Sequence, residues 1–340
     1  MSKSTTRIGI DLAKNTFQVC ATDITGKVIF NKKVSRKQLP QLLANQDARE
    51  VVMEACASAH YWSRVFNQMG LNVKLIHPGY VKPYLKTNKN DAADAEALCE
   101  AASRPQMRFV QAKTVEQQDI QAMHRIRERR VTQRTRLCNQ IRGLLAEYGI
   151  ILAQGIGTIR KQLPLLVDHR ENALTTIGRQ LFLELYQELV ALDQQVADIT
   201  MRIEQISECH PRCQALMTVP GVGPMVATAL YAAMGSPANY RNGREFAAFL
   251  GLVPRQHSSG GKAILKGISK RGDRQMRHLL IQGAQAALQH MHKRDDRLSR
   301  WACKLKAQKG HGKAVVALAN KLSRICWAVA LNNTPYQVAA

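Results

Sequence analysis

The sequence RIGIDLAKNTFQVCAT, residues 7–22, carries the strongest signal of secondary structure near the start of the chain. Its first part, Arg7–Ala13, is a short apolar run rich in isoleucine, and we predict that it forms a buried β-strand. A second strand is predicted at about Phe17–Thr22, and the glycine-bearing turn Asp23–Lys27 leads into a third strand at Val28–Val34. The chain therefore begins with three strands joined as a meander.

Outward from this meander, strand and helix patterns alternate up to the helix that Asn90 is predicted to cap and that starts at Asp91. The elements predicted in between are a helix from its N-cap Ser35 through Leu43, a strand at Glu50–Glu54, a helix from Ser58 to Met69 and a strand at Asn72–Ile76. The resulting order, βββαβαβα, matches that of the RNase H-like fold, so we predict an α/β domain of this type.

The middle of the chain is predicted to be helical. Seven apolar residues alternate by four and three, the spacing of a coiled-coil seam: Leu185, Leu189, Leu192, Val196, Ile199, Ile203 and Ile206. An earlier helix, about Val115–Tyr148, carries Leu137, Ile141, Leu144 and Tyr148 on one face. Glycines separate the two helices, so we predict an antiparallel pair that also mediates oligomerisation.

From Cys209 onward we predict a mainly helical domain. The segment LMTVPGVGPMVA, residues 216–227, has the pattern of a helix, a tight turn with Gly221 and Gly223, and a second helix. It is similar to a helix-hairpin-helix motif, whose backbone N–H groups bind phosphate without reading base sequence. The predicted domains are residues 1–110, 111–208 and 209–330.

A formal net charge of +24 at pH 7 indicates a polyanionic partner. Residues 209–340 carry 20 basic and 4 acidic groups, against 16 and 9 in residues 1–110 and 13 and 12 in residues 111–208. Such a localised excess favours nucleic acid, since each neutralised phosphate releases condensed counterions. Anionic lipid is the alternative, but no basic amphipathic helix of the kind that lies on membranes flanks a targeting motif.

Membrane insertion and secretion are not expected, because the sequence holds no apolar run of transmembrane length and no secretory signal. We therefore expect a cytoplasmic, nucleoid-associated protein without a membrane partner. The 8 cysteines are scattered, which is typical of reduced thiols. Cys209, His210 and Cys213 form the one tight group, and because no second ligand pair lies nearby we do not predict a zinc site.

The predicted helix at 115–148 is also rich in arginine. A solvated helix face usually mixes charges of both signs, whereas here only Glu128 interrupts the arginines between 125 and 136. Nucleic-acid contact is therefore favoured over a plain solvated face. The candidate contacts from this helix and from the hairpin turn are Arg125, Arg129, Arg130, Arg134, Gly221 and Gly223.

Four carboxylates are candidates for a metal site. Asp11 lies in the first strand's apolar run and Glu54 at the end of the fourth strand, and these strands are neighbours in the predicted topology. Burying a carboxylate is costly unless it is paired or binds a metal. Asp91 and Asp94 are three residues apart at a helix start, hence on one face. Converging oxygen ligands suit Mg²⁺, and two such ions would stabilise both oxygens of a phosphoryl transfer.

Two other interpretations of these acids stay open. Asp91 and Asp94 could simply complement the helix dipole, as carboxylates in a first turn often do. Asp11 could be a turn residue, or the phosphate-binding aspartate of an actin-like sugar-kinase fold. That fold needs a second nucleotide-binding half, whereas the rest of this chain is helical and basic.

The segment GLVPRQHSSGGK, residues 251–262, runs from a helix into a predicted glycine-rich loop, and a further helix begins near Met276. Asp273 is the one acid among several cations in this region. The candidate nucleic-acid contacts here are Lys262, Lys270, Arg271 and Arg274. A serine in such a loop is more often a cap or a turn residue than a nucleophile, so residue chemistry alone selects none.

Four segments together carry a family resemblance: GIDLAKNTF (9–17), KNDAADA (89–95), VPGVGP (219–224) and the block from GLVPRQHSSGGK through ISKRGDRQMR (251–277). The chain resembles the DEDD transposases of insertion-sequence family 110, closest to its 1111 subgroup. The resemblance covers nearly the whole length, and its motifs are highly specific in combination. It implies that the four acids of the family fall on Asp11, Glu54, Asp91 and Asp94. The catalytic serine before glycine would be Ser259, with Ser258 as the alternative.

The resemblance further implies an RuvC-like N-terminal domain whose acids and Mg²⁺ activate a serine that forms a covalent phosphoserine with DNA. It implies dimers and tetramers, with sites combining one subunit's acids and another's serine. It also implies a structured non-coding guide RNA that pairs with donor and target DNA. Two rival functions are an RuvC-like junction-resolving endonuclease that uses water, and a non-catalytic DNA-binding protein.

Overall fold

The computed structural model describes residues 5–85, 90–259 and 262–338. The chain divides into two compact units, residues 1–116 and 117–340, and each is described by itself.

The N-terminal unit is built on a six-stranded mixed sheet of order β3-β2-β1-β4-β5-β6. The meander β1-β2-β3 is antiparallel, β1 pairs with β4 and β4 with β5 in parallel, and β6 is antiparallel to β5. Its strands are β1 Arg7–Asp11, β2 Thr16–Thr22, β3 Val28–Ser35, β4 Glu50–Glu54, β5 Val73–Ile76 and β6 Phe109–Val110. Its helices are α1 Gln38–Ala44, α2 Ala59–Gln68, α3 Pro78–Val81 and α4 Asp91–Ala102, with a 3₁₀ turn at Lys82–Tyr84.

Both faces of this sheet are covered, which explains the apolar strands. Ile8 and Ile10 pack with α1 and α2 in one core cluster, while Val52 packs with α4 in another. Gly9 faces α4, where a Cβ would lie 2.4 Å from the carbonyl oxygen of Ala95. The glycine therefore lets α4 lie directly against β1.

The predicted order of strands and helices up to α4 is confirmed, except that the short helix α3 and a 3₁₀ turn also lie between β5 and α4, and two local details differ. Asp11 is the last residue of β1 and half-buried, not in the middle of the strand. The prediction that Ser35 caps α1 is wrong, because Lys37 occupies the cap position and the Ser35 hydroxyl donates to the side chain of Gln38. Asn90 does cap α4, and its Oδ1 accepts from the N–H of Ala92 at 3.1 Å.

The C-terminal unit is mostly helical. Its helices are α5 Val115–Ala146, α6 Ile156–Asp168, α7 Thr176–Cys209, α8 Pro211–Met217, α9 Pro224–Met234, α10 Gly243–Phe249, α11 Arg274–His290, α12 Arg297–Lys309 and α13 His311–Asn332. Short 3₁₀ turns occur at Pro237–Asn239 and Met291–Lys293. One two-stranded antiparallel hairpin, β7 Pro254–Ser259 and β8 Lys262–Ile268, interrupts them.

Helices α5 and α7 pack as the predicted antiparallel pair, since Arg127 bonds to Thr200 and Arg134 to Asp193. The middle of the predicted seam on α7, from Leu189 to Ile203, is buried within the chain. On α5 the prediction for Leu144 is wrong. It is 43% exposed, and Leu145 is buried in its place, because the buried face continues four residues after Ile141 rather than three.

The main core of the C-terminal unit lies among α8, α9, α11, α12 and α13. Among the described helices, α13 is long and apolar enough to cross a membrane by length and composition, with a mean hydropathy of 1.5. Half of that apolar stretch is buried inside the protein, and Leu318, Leu322 and Cys326 are at most 1% exposed. The helix therefore has the burial of a core element.

Candidate active site

Three of the four candidate acids come together at the edge of the sheet. The carboxylates of Asp11, Asp91 and Asp94 each offer an oxygen within 4.8 Å of the others, and we call these three residues the acidic cluster. Asp11 and Asp94 are half-buried and Asp91 is exposed. Three like charges this close repel unless a cation or protons neutralise them, so the cluster is suited to a divalent cation with oxygen ligands.

Glu54 lies next to this cluster. Ile10 pairs with Met53 across the parallel strands β1 and β4, so Asp11 and Glu54 leave the sheet at the same edge. Burial raises the pKa of the Glu54 carboxyl, the nearby charge of Asp94 raises it further, and His77 opposes both. Its position lets Glu54 join a metal site made by the other three acids.

The first turn of α4 is tied to the sheet by two amide side chains. Gln18, which pairs with Asp11 across β1 and β2, donates from Nε2 to Oδ1 of Asn31 at 2.6 Å. Asn31 in turn donates from Nδ2 to the carbonyl oxygen of Ala92 at 2.9 Å. Because Ala92 directly follows Asp91, this chain of bonds fixes the helix start that carries two of the acids.

Sequence reasoning missed several residues around the acids. Lys33 on β3 forms an exposed ion pair with Asp91 at 3.4 Å. Burial, then the charges of Glu54 and Asp11, raise the pKa of the Cys56 thiol, so this thiol lies beside the acids in its uncharged form. His77 follows β5 and accepts the N–H of Gly79 at its Nδ1. The buried Gln18 carried the one visible signal, a polar residue inside the apolar run FQVCAT.

The serine segment forms two antiparallel strands, so the prediction of a loop is wrong for residues 254–259 and 262–268. Ser259 pairs with Lys262 and Ser258 with Ala263, which places both serines at the far end of β7. Residues 260 and 261 lie outside the described part of the chain, as do the side chains of these four paired residues. We call β7 and β8 together the serine hairpin.

The root of the serine hairpin is held by two glycines with left-handed backbone. Gly251 has φ +72°, and a Cβ there would lie 1.9 Å from the carbonyl oxygen of Arg271. Gly272 has φ +86°, and a Cβ there would lie 2.0 Å from the carbonyl oxygen of Phe249. Only glycine fits both the close approach and the positive φ, so the two segments at the root interlock.

A buried arginine reinforces this root. Arg277 is 8% exposed and donates from Nη1 to the carbonyl oxygens of Leu250 at 3.1 Å and Arg271 at 3.2 Å. The carbonyl of Asp273 is a third, longer acceptor at 3.4 Å. A charged donor shared among buried carbonyls is a strong contact, so the segments before and after the hairpin are cross-linked.

The predicted nucleic-acid contacts on α5 fall into two groups. Arg125 and Arg129 are exposed. Arg130 donates to the carbonyl oxygen of Gln195, and Arg134 pairs with Asp193 at 2.9 Å, so both contact α7. Burial disfavours the charged form of Asp193, but hydrogen bonds from its arginine partners outweigh this effect and lower its pKa.

The turn between α8 and α9 packs against α11. Gly221 has φ +78°, and a Cβ there would lie 2.3 Å from the carbonyl oxygen of Gly283. Gly223 is exposed at the N-cap of α9, where a Cβ would meet nothing within 4 Å. Lys270, Arg271 and Arg274 are exposed around the root of the serine hairpin. The structure describes the backbone of Lys262 but not its side chain.

Two family models match this chain. A model of the DEDD transposase of IS110, described as "Transposase", matches residues 8–150, which include all four acids. A model described as "Transposase IS116/IS110/IS902 family" matches residues 213–299, which include the α8–α9 turn and the serine hairpin.

Curated relatives match over nearly the full length. The transposase for insertion sequence element IS1111A of Coxiella burnetii is 44% identical over 333 residues, 98% of this chain and 92% of the relative. The transposase for insertion sequence element IS1328 of Yersinia enterocolitica is 40% identical over 331 residues, 97% of this chain and 98% of the relative. A pilin gene-inverting protein of Moraxella bovis is 24% identical over 367 residues, 98% of both chains. With its acids clustered and both segments matched, the chain belongs to the IS110 family of insertion-sequence transposases.

Proposed function

We propose that this protein is an RNA-guided, Mg²⁺-dependent recombinase that cleaves and exchanges DNA strands of its insertion sequence through a phosphoserine at Ser259. The single observation that carries the metal-dependent part is the acidic cluster, in which three carboxylates from β1 and α4 meet within 4.8 Å. The membership in a transposase family supplies the reaction class, the cutting and joining of DNA.

An RNase H-like, RuvC-like fold for the N-terminal unit is supported by its sheet. The order β3-β2-β1-β4-β5 combines an antiparallel meander with two parallel strands, as expected for that fold. Catalytic residues in open α/β sheets lie beyond the carboxyl ends of parallel strands, which is where Asp11 and Glu54 are found. We also propose three domains, at residues 1–110, 111–208 and 209–330. The second would contain the coiled coil and the third the helix-hairpin-helix motif.

The residues that would hold Mg²⁺ are Asp11, Asp91, Asp94 and Glu54. Carboxylate oxygens are the ligands this hard cation prefers, and when bound it offsets the negative charge of a reacting phosphate. The raised pKa of Glu54 fits this role, because an adjacent cation would favour the carboxylate and recruit it as the fourth ligand. Asn31 and Gln18 would hold Asp91 and Asp94 at the distance the ligands need.

At the serine, the proposed step forms a bond from the Ser259 Oγ to a DNA phosphorus and breaks one P–O bond to a deoxyribose. The hydroxyl proton leaves with a base or water, and the departing oxygen takes up a proton. Attack by a deoxyribose hydroxyl on the phosphoserine then reverses these events and completes strand exchange. Two observations support this step. One is the family resemblance around Ser259, and the other is the interlocked root of the serine hairpin, which fixes the position from which β7 extends.

The proposed partners are donor and target DNA, a structured guide RNA encoded by the element, and further copies of this chain as a dimer or tetramer. The charge of +24 supports a polyanionic partner, and Arg125, Arg129, Lys262, Lys270, Arg271 and Arg274 are its proposed contacts. Arg130, Arg134, Gly221 and Gly223 complete the proposed surface, although the first two are engaged by α7. We expect the protein to act in the cytoplasm, at the nucleoid.

One relative is named a pilin gene-inverting protein, and gene inversion is a rearrangement of DNA. This name supports strand exchange as the reaction class. The rival function is an RuvC-like endonuclease in which water attacks, and the sheet order supports it equally well. A protein that only binds DNA would need neither the acids nor a metal.

Substitution of the serines separates these functions. Purified Ser259→Ala should lose both strand exchange and the protein–DNA adduct that survives denaturation, whereas Ser258→Ala serves as the matched control and should keep both. If Ser259→Ala cleaves DNA as fast as the unmodified protein, water is the nucleophile and the proposal of a phosphoserine intermediate is wrong. If Ser258→Ala alone loses the adduct, Ser258 is the nucleophile and the assignment to Ser259 is wrong.

A further inference from the structure

The last two helices of the chain form a strongly basic hairpin. Helix α12 and helix α13 are joined through Gly310 and pack against each other. From Arg297 to the end of the chain there are 8 lysines and arginines and no aspartate or glutamate. A solvated helix surface usually mixes charges of both signs, so this composition indicates a polyanionic partner.

Four of these cations gather around one tryptophan. Lys321 on α13 places its Nζ 4.2 Å from the ring centroid of Trp301 on α12. Arg297 and Lys304 lie one turn before and one turn after Trp301 on the same side of α12, and Arg324 lies one turn beyond Lys321 on α13. We call Arg297, Lys304, Lys321 and Arg324 the α12–α13 basic surface.

This surface holds its charges without counterions from the described part of the chain. None of its four residues forms an ion pair among residues 5–85, 90–259 and 262–338, whereas the neighbouring Arg300 pairs with Asp295 at 3.3 Å. Burial lowers the pKa of Lys321, and the charges of Arg324 and Arg297 lower it further. Unpaired like charges held together oppose folding, so their presence calls for a reason outside the fold.

Arg324 extends the surface towards a cavity. Its Nε is buried without a hydrogen-bond partner in the described residues. The residue also lines an open cavity of about 380 Å³ together with the exposed Arg244 and with Trp327. The positive charge therefore continues from the α12–α13 basic surface to Arg244 at the start of α10.

We propose that the α12–α13 basic surface binds the phosphate backbone of duplex DNA without reading its sequence. Its lysines and arginines can form ion pairs with successive DNA phosphates. Such contacts position a protein on DNA and do not select a particular sequence. Anionic lipid fits less well, because the apolar side of α13 is already buried in the core. Most of the surface lies outside residues 8–150 and 213–299, the segments that the family models match.

The test compares two variants that each remove two positive charges from the full-length protein. Lys304→Gln/Lys321→Gln removes half of the surface. Lys161→Gln/Lys306→Gln is the matched control, since Lys161 is exposed on α6 and Lys306 points about 140° away from Trp301 around α12. Binding of duplex DNA of two unrelated sequences is measured across a range of salt concentrations.

We expect the slope of log affinity against log salt to fall by about 2 in the surface variant, about 1 for each lost phosphate contact. Both DNA sequences should lose affinity by the same factor, and the control should keep the original slope. An unchanged slope in the surface variant overturns the proposal, as does an equal loss in the control. A loss seen only with a hairpin RNA of equal phosphate number, or only with vesicles of anionic lipid, overturns the assignment to DNA.

Unfolding of the variant is separated from loss of binding by its thermal stability. Because Arg297 and Arg324 repel Lys321, Lys321→Gln should leave the Tm of the free protein unchanged or raised while DNA binding weakens. The exposed Lys304→Gln alone should still lower the slope by about 1. The inference is independent of the acids and the serine, because DNA binding tests it and strand exchange does not, so failure of the proposed chemistry would leave the expected change in slope intact.

Discussion

The acidic cluster lies at the edge of a six-stranded sheet, whereas the serine hairpin consists of two strands only. Around the acids, the hydrogen bonds from Gln18 to Asn31 and from Asn31 to Ala92 hold the start of α4 against the sheet. On the serine hairpin, Ile264 and Leu265 are 56% and 66% exposed, and order comes from its root. Two strands alone are marginally stable. The six-stranded sheet and α4 therefore position the acids, whereas the position of the serine depends on the root of the serine hairpin.

The strongest test of the first half of this comparison is Asp11→Asn. Because it removes a central charge of the acidic cluster, we expect DNA cleavage to fall by roughly 10³-fold, in line with the several kcal/mol that metal-assisted charge stabilisation contributes. Single-turnover cleavage at a fixed Mg²⁺ concentration measures it. Asp23→Asn, in the turn before β3, is the charge-matched control and should keep full activity. Equal activity of the two variants would exclude a metal site at Asp11.

The second half is tested at the root of the serine hairpin. Gly272→Ala forces a Cβ against the carbonyl of Phe249 at positive φ, and strain of this kind costs about 1–3 kcal/mol. We expect adduct formation to fall by roughly 10–100-fold, while Mg²⁺ binding is unchanged. Gly267→Ala, on β8 of the same hairpin, meets nothing within 4 Å and is the control. If both variants form the adduct normally, the root does not position the serine.

A smaller effect on DNA cleavage is expected from Asn31, which does not belong to the acidic cluster but bonds to the helix start that carries Asp91 and Asp94. Asn31→Ala removes the bond to the carbonyl of Ala92 and leaves Gln18 without its acceptor. We expect Mg²⁺ affinity to fall about tenfold, as for other groups that orient metal ligands, with cleavage restored at saturating Mg²⁺. Magnesium titrations of cleavage measure this. Asn67→Ala, exposed on α2, should not change the titration, and a loss that excess Mg²⁺ fails to restore would point to chemistry rather than positioning.

The smallest effect concerns stability without metal. The pKa of Glu54 is raised by burial and by Asp94, so its charge destabilises the fold at pH 7 and this penalty vanishes as pH falls below its folded pKa. Glu54→Gln should therefore raise the Tm at pH 7 but not near pH 4. For Glu50, burial is outweighed by Lys74 and Arg7, which lower its pKa, so Glu50→Gln should lower the Tm at pH 7. The same sign for both would contradict this electrostatic account.

The N-terminal elements were predictable because their signals are local. Isoleucine-rich strands, the glycine after α2 and the Asn90 cap are each visible within a few residues of sequence. The proximity of Asp11 and Glu54 followed from the predicted order of the strands, whereas the place of Asp91 and Asp94 beside Asp11 was implied by the family resemblance. The contributions of Gln18 and Asn31 were not predictable, because a strand pattern does not show which polar residue faces a helix that begins far along the chain.

The serine hairpin was missed for a different reason. The segments PRQHSS and KAILKGI lack clear alternation of apolar and polar residues, and the contacts that hold their root join Gly251 to Arg271 and Arg277 to Leu250. Similarly, nothing in the basic run of α5 shows that Arg134 meets Asp193, which is 59 residues away. Long-range pairing decides such cases, and one sequence does not display it.

The close approach of α4 to β1 at Gly9 would also influence which cation fits the proposed metal site. Because α4 rests directly on β1 at this point, the distance from Asp11 to Asp91 and Asp94 depends on how closely helix and strand approach. Mg²⁺ binds oxygen at about 2.0–2.1 Å and Ca²⁺ at about 2.3–2.6 Å, so a few tenths of an ångström separate a good site for one from a good site for the other. The spacing between the backbones of α4 and β1 would therefore help to decide which of these cations the proposed site accepts.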